Sequence, residues 1–447
     1  MPDSTEGQDR HKGTMLKRLR LQRLAPRKKI FYGWWIVLSS AALNFLAGGS
    51  FIYGFTTFFN PIRDTFGWSA AATSVAFVFQ RLESGILGPL AGFLVDRVSP
   101  RKLMYIGWVI ISLGFFLMSR INSLWMFYGA FMIMAMGFSF GSFIVMNTAV
   151  ARWFREKRSR ALTMIYLGFG ASGTLVPLIA LSIEEFGWRE TLVWLAVLLG
   201  VVGIILSSVM RRQPEDYGYL PDGKTIGETN ELKGFSDKQP TLELVPESSG
   251  YTVKEAIRTK AFWLLSLAFL FQHIGTSAVM VHIVPYLESV EVSTTIAATA
   301  VTGMTLCSVI GRLGFGFLGD FTNKRYLVAT ALTLQTIGLF IFSLISADKV
   351  WLIVLFLLTY APGYGGPIPL RPALQADYFG TRSFGTIMGL MASVSMIGGL
   401  FSPVLAGWMF DVTGSYRQAW QLFSLITVPS VILILLAKPP QTGPEPS

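Results

Sequence analysis

Apolar residues run through this chain in blocks of membrane-spanning length, cut by short polar turns, almost from end to end. A helix needs roughly 20 apolar residues to cross a hydrocarbon core about 30 Å thick. The blocks predict about twelve such helices, near 31–59, 68–95, 102–119, 123–150, 160–183, 189–210, 260–287, 294–319, 326–346, 350–375, 384–410 and 417–437. Residues 211–258 interrupt the pattern with Pro, Gly, Ser and charged residues, and leave six blocks on either side. The expected organisation is a basic tail (1–29), a six-helix bundle (30–210), a linker (211–258), a second bundle (259–438) and a short tail (439–447).

The two halves share landmarks. Gly92-Phe93-Leu94-Val95-Asp96 returns as Gly316-Phe317-Leu318-Gly319-Asp320, a separation of 224 residues. Trp34 and Phe262 lie 228 apart, Trp188 and Tyr416 228, and Phe154 and Phe379 225. Same-order landmarks at a near-constant offset mean parallel repeats, each with an even number of spans. The predicted class is an all-α membrane protein of two parallel six-helix repeats.

Composition agrees. Only 14% of residues are charged and 52% are apolar, where soluble domains carry about 25% charge. The net charge of +11 would suit a nucleic-acid partner if it formed one patch, but it does not. Basic residues crowd the N-terminal tail and then alternate turns: Arg97, Arg101 and Lys102; Arg152, Arg155, Lys157, Arg158 and Arg160; Arg211 and Arg212; Lys324 and Arg325. That positive-inside pattern puts both termini in the cytoplasm. Residues 1–29 are polar and basic, and the first apolar block is too long for a signal peptide. The single cysteine, Cys307, allows no internal disulfide. The chain lacks a nucleotide-binding glycine loop, Cys/His metal spacing and a serine–histidine pairing. The expectations are no enzyme activity, no cofactor, no metal and a monomer in the plasma (inner) membrane.

The segment from Gly88 to Lys102, with Asp96-Arg97 and the basic pair Arg101-Lys102, resembles the loop 2–3 signature of the major facilitator superfamily, and Gly316 to Arg325 resembles a second copy. Tyr32-Gly33-Trp34-Trp35, Trp153-Phe154, the run Asp216 to Gly223, and Tyr378-Phe379-Gly380 resemble the branch of oxalate/formate exchangers and monocarboxylate porters. The resemblance implies alternating access by two rocking bundles. It also implies gating by the Asp96, Arg97, Arg101 and Asp320 turns, and a substrate carboxylate on the eighth-helix arginine, here Arg312. Three departures stand out. Tyr53 and Ser308 occupy positions where animal monocarboxylate porters carry a lysine and an aspartate, and residues 384–410 lack the lysine of oxalate exchangers. One cation in place of two points to a singly charged substrate.

Charges inside the spans are costly unless they face the bundle interior or water. Arg312 lies eight residues before Asp320, roughly 12 Å into the bilayer, with Gly311 and Gly314 beside it. A guanidinium stays protonated and offers a planar fork matched to a carboxylate. Arg81 reads equally as an anion-capturing group or as a side chain snorkelling to the outer interface. Glu83 is the candidate proton carrier, since burial raises a carboxyl pKa towards neutrality. His282, ahead of Pro285, is a further candidate for substrate or proton contact. Arg371 is expected to pair with Asp377 or lipid phosphate. Asn44, Tyr53, Asn147 and Tyr166 are candidate polar lining, and Tyr53 joins Arg312, Arg81 and His282 as the substrate-binding set. The resulting expectation is a secondary transporter of a small monocarboxylate or related organic anion, with protons as a candidate coupled ion. The competing readings are a carrier of neutral or amphipathic solutes with Arg312 structural, and a transporter-like sensor.

Overall fold

Ten helical stretches are long and apolar enough to cross a membrane. The longest, Arg158–Ser208, is two helices joined at Gly187, whose φ of 81° breaks the helical path. The 28-residue helix Ala70–Arg97 brings the total to twelve among the described residues. They are α1 (Gly33–Phe66), α2 (Ala70–Arg97), α3 (Pro100–Ser119), α4 (Leu124–Gly141 with Phe143–Trp153), α5 (158–186), α6 (188–208), α7 (Lys260–Ser289), α8 (Thr294–Leu318), α9 (Lys324–Phe342), α10 (Leu352–Phe379), α11 (Phe384–Thr413) and α12 (Arg417–Leu436). This computed structural model describes residues 30–141, 143–223 and 250–440, without the side chains at 70, 71, 74, 76–84, 294 and 298. The basic tail and the side chains of Arg81 and Glu83 therefore lie outside the described residues.

Helix ends follow local chemistry. Ser69, Thr259 and Ser293 each cap the helix that follows by accepting a backbone N–H three residues on. Gly67 and Gly414 end α1 and α11 in the left-handed region that favours glycine. Within each bundle, small residues let helices touch. A Cβ on Gly107 would meet the backbone of Gly141 at 2.5 Å, joining α3 to α4, and one on Gly338 would meet Tyr360 at 2.6 Å, joining α9 to α10. Each half has its own packed interior, around Trp108, Phe115 and Phe131 in the first and Phe342, Phe356 and Trp420 in the second. Large apolar side chains such as Trp125, Trp194, Ile310 and Val404 point outward, as a lipid-facing surface requires.

The bundles meet along two seams, α2 with α11 and α5 with α8 and α10. Gly88 lies against Gly389 and Gly92 against Gly385 in the first; Gly316 lies against Thr163 and Gly319 against Ser159 in the second. Among the described residues, the ion pairs between bundles, Arg158–Asp377 and Arg160–Asp320, lie in the half of these seams nearer the linker. That side is termed the linker end. Both described ends of the linker dock on a bundle. Arg211 sits between the rings of Tyr32 and Tyr217, at 3.7 and 4.0 Å. Asp222 accepts backbone hydrogen bonds from Arg155, Glu156 and Lys157. On the other side Tyr251 donates its N–H to the Phe379 carbonyl at 2.9 Å.

Candidate substrate site and the latches beneath it

Arg312 is 5% exposed and lies where α8 faces α5 across the bundle interface. Its Nη1 donates to the Tyr166 carbonyl at a long 3.4 Å, and its Nε is buried without a partner. A Cβ on Gly170 would come within 3.1 Å of Nη1, so the glycine provides the guanidinium's berth. The hydroxyls of Tyr53, Tyr166 and Tyr364 all lie within its electrostatic reach. No carboxylate among the described residues pairs with it. Of its glycine neighbours, Gly311 packs on Pro362 of α10, whereas Gly314 has open space beside it.

The helices around this point depart from α geometry. Residues Gly48–Tyr53 of α1 form a π-helical turn, and Ser172–Leu175 of α5 form a 3-10 turn. The two irregular segments touch, Gly48 against Ser172 and Gly49 against Leu175. Such turns are frequent at functional sites, because they redirect side chains that a regular helix would stack. Tyr53 closes the π turn and packs on Phe169, which packs on Phe143, which stacks on Tyr166. Asn147 donates to the Tyr166 hydroxyl at 2.7 Å. Tyr53, Asn147 and Tyr166 thus gather near Arg312. Tyr364 joins them without having been singled out, since one tyrosine in an apolar span gives no signal.

His282 stands apart. Its Nε2 lies 2.9 Å from the Pro403 carbonyl, which only accepts, so Nε2 donates there, and Nδ1 is hydrogen-bonded with the Tyr416 hydroxyl at 3.2 Å. Both ring nitrogens are used within the second bundle. Arg371 differs from expectation. Asp377 is taken by Arg158 at 2.6 Å and Lys324 at 2.7 Å. Arg371 instead turns inward, donating to the Ser395 hydroxyl at 2.7 Å and the Met391 carbonyl at 3.3 Å, over the Phe269 ring. Six residues on a helix are roughly 120° apart at about 100° per residue, so the two side chains leave opposite flanks.

At the linker end, two aspartates cross-bind the bundles. Asp96, on α2, accepts from the Gly385 and Thr386 backbone N–H groups and the Thr386 hydroxyl at the start of α11, and pairs with Arg152 at 3.2 Å. Asp320, after α8, accepts from Ser159 and Arg160 at the start of α5 and pairs with Arg160 at 2.5 Å. Each carboxylate therefore meets the positive pole of a helix from the opposite bundle. Arg97 and Arg101 are not in these latches. Arg97 lies over Phe93 of its own helix, and Arg101 donates to the Met210 carbonyl within the first bundle.

Known proteins agree with this architecture. The model of the Major Facilitator Superfamily matches residues 37–298 and 265–447. The oxalate:formate antiporter of Oxalobacter formigenes is 25% identical over 386 residues, covering 84% of this chain and 86% of its own. Monocarboxylate transporter 12 of Mus musculus is 26% identical over 433 residues, 90% of this chain and 85% of its own. The crystal structure of the E. coli fucose:proton symporter superposes with a TM-score of 0.66 at 15% identity, covering 90% of this chain and 98% of that one. That likeness is one of fold. With twelve helices in two repeats and a match spanning nearly its whole length, the chain belongs to the Major Facilitator Superfamily, and is a transporter and not an enzyme.

Proposed function

We propose that this protein is a secondary carrier of a small organic anion, and that Arg312 binds the substrate's carboxylate. The observation that carries this reading is the Arg312 guanidinium. It is buried between the bundles with its Nε unmatched and no carboxylate partner among the described residues. A buried charge without a counter-ion is strongly unfavourable, and an incoming carboxylate removes that penalty through two parallel hydrogen bonds. The tyrosine hydroxyls nearby add neutral donors that hold the anion without competing for the charge. Relatives named as an oxalate:formate antiporter and as monocarboxylate transporters support the same class of cargo.

The positive-inside pattern assigns the linker end to the cytoplasm. With the Asp96 and Asp320 latches closed there, the described state receives substrate from outside. Release requires the latches to part and the bundles to rock. Where the carrier couples to protons, the reading assigns them to Glu83 on α2 and not to His282, whose ring is already committed. The test is uptake of labelled small carboxylates into proteoliposomes. Loss of a charge-assisted contact costs about 1.5–3 kcal/mol, so Arg312→Gln should weaken uptake by about tenfold to a hundredfold. Uptake equal to the wild type in a folded variant would end the reading.

A further inference from the structure

Resting on that reading, we infer that Arg371 is a second anion-binding group of the same site, and that the carrier prefers small dianions, most simply short dicarboxylates, over monocarboxylates. Arg371 lies eight residues before Phe379 at the end of α10, and Arg312 lies six before Leu318 at the end of α8. Their Cα atoms therefore stand roughly 12 Å and roughly 9 Å from those helix ends, at similar depth. Tyr166, reaching in from the opposite bundle, has its hydroxyl within the electrostatic reach of both. Asn147, which donates to that hydroxyl at 2.7 Å, also reaches Met388 Sδ at 3.9 Å, one turn of α11 before the Met391 carbonyl that holds Arg371, so both cations border the same polar cluster.

The contacts of Arg371 orient its charge without neutralising it. A serine hydroxyl, a backbone carbonyl and the face of Phe269 hold the guanidinium, and none supplies a negative charge. Asp377, on the same helix, is occupied by Arg158 and Lys324. A guanidinium kept for helix packing alone would be expected to find a carboxylate, because breaking or omitting that partner inside a bundle is costly. Among the described residues, neither guanidinium has a carboxylate partner. A single negative charge satisfies one of them, whereas a dianion satisfies both. The count of one cation, reached from the eighth and eleventh helices, omits this arginine of the tenth.

The experiment uses the full chain in proteoliposomes, with radiolabelled lactate as the reporter. In the wild type, succinate or malonate should inhibit lactate uptake at a concentration at least tenfold lower than the corresponding monomethyl ester. Equal potency, or a stronger ester, overturns the inference while leaving the carboxylate reading intact. Arg371→Gln should reduce the ratio of dicarboxylate to lactate uptake at least tenfold, and Arg371→Lys should restore part of that ratio. If the glutamine variant lowers both substrates in parallel, Arg371 is structural and the inference fails. Should the variants not fold, the acid-against-ester comparison in the wild type still decides. If neither lactate nor any dicarboxylate enters or competes, the carboxylate assignment itself falls, and this inference with it.

Discussion

At the residue scale, the site depends on what a glycine leaves empty. Gly170 has only Arg312 Nη1 at 3.1 Å and Val309 Cγ2 at 3.5 Å near its missing Cβ, and no backbone. A methyl group there displaces the guanidinium by a few tenths of an ångström without opposing a helix crossing. Alanine also favours a helix over glycine by about 1 kcal/mol. Gly170→Ala should therefore keep or raise the thermal unfolding temperature while raising the KM for carboxylate uptake several-fold. A fall in stability together with unchanged KM would show that the berth serves packing. Much of this site is legible in the sequence: an arginine inside an apolar run is conspicuous, and so is its spacing from Asp320. The tyrosines were visible only as polar lining, because a ring's neighbours across a bundle interface leave no local pattern. The partner of Arg371 was within reach, since helical phase alone separates positions 371 and 377.

At the element scale, the closed end is built from two aspartates set against two helix starts. Each latch combines backbone N–H donors with an arginine, and Asp96 and Asp320 have side chains only 9% and 1% exposed. In Asp96→Asn, the amide oxygen retains one acceptor, the amide nitrogen opposes the N–H groups, and Arg152 is left buried without its anion. The Arg152 pair lies within the first bundle and is lost in open and closed states alike, whereas the hydrogen bonds from Gly385 and Thr386 cross between bundles, so their loss falls on the closed state alone. The linker end should then open. Ser393, whose hydroxyl donates to the Gly85 carbonyl inside the seam, reports it. With Ser393→Cys in a Cys307→Ser background, Asp96→Asn should raise the thiol-labelling rate at least tenfold; an unchanged rate removes the gating role. The helices themselves are readable from apolar block length, capping serines and threonines, and the repeated landmarks. The break at Gly187 fell where two predicted spans left a gap. What each aspartate grips is not readable, because its partners lie about 160 or 290 residues away and are fixed only when the bundles dock.

At the scale of the whole molecule, the seams and the linker divide the described chain into two bundles, which the proposed transport cycle moves as bodies. The linker's described ends belong to those bodies: one is held by the Asp222 nest and the Arg211 stack, the other by Tyr251 on Phe379. Three of the motifs that carried the family resemblance, at the start of α1, after α4 and after α6, meet at the first of these ends. Phe31 and Tyr32 pack on Trp153, and Trp153 packs on Tyr217. These contacts tie the start of α1 and the turn after α4 to the described start of the linker. Binding and turnover should consequently separate. Arg158 on α5 and Asp377 on α10 face each other across the linker-end seam. Replacing both with cysteine in a Cys307→Ser background, then joining them with a short bifunctional reagent, ties the bundles together at that end. The joined protein should still bind carboxylate, with an affinity within about threefold of the unjoined variant, because Arg312 lies above the tether. Its uptake should fall to background, because alternating access needs the linker end to part. Reductive release of a cleavable reagent should restore uptake. Full transport by the joined chain would mean that substrate leaves by a route these seams do not control.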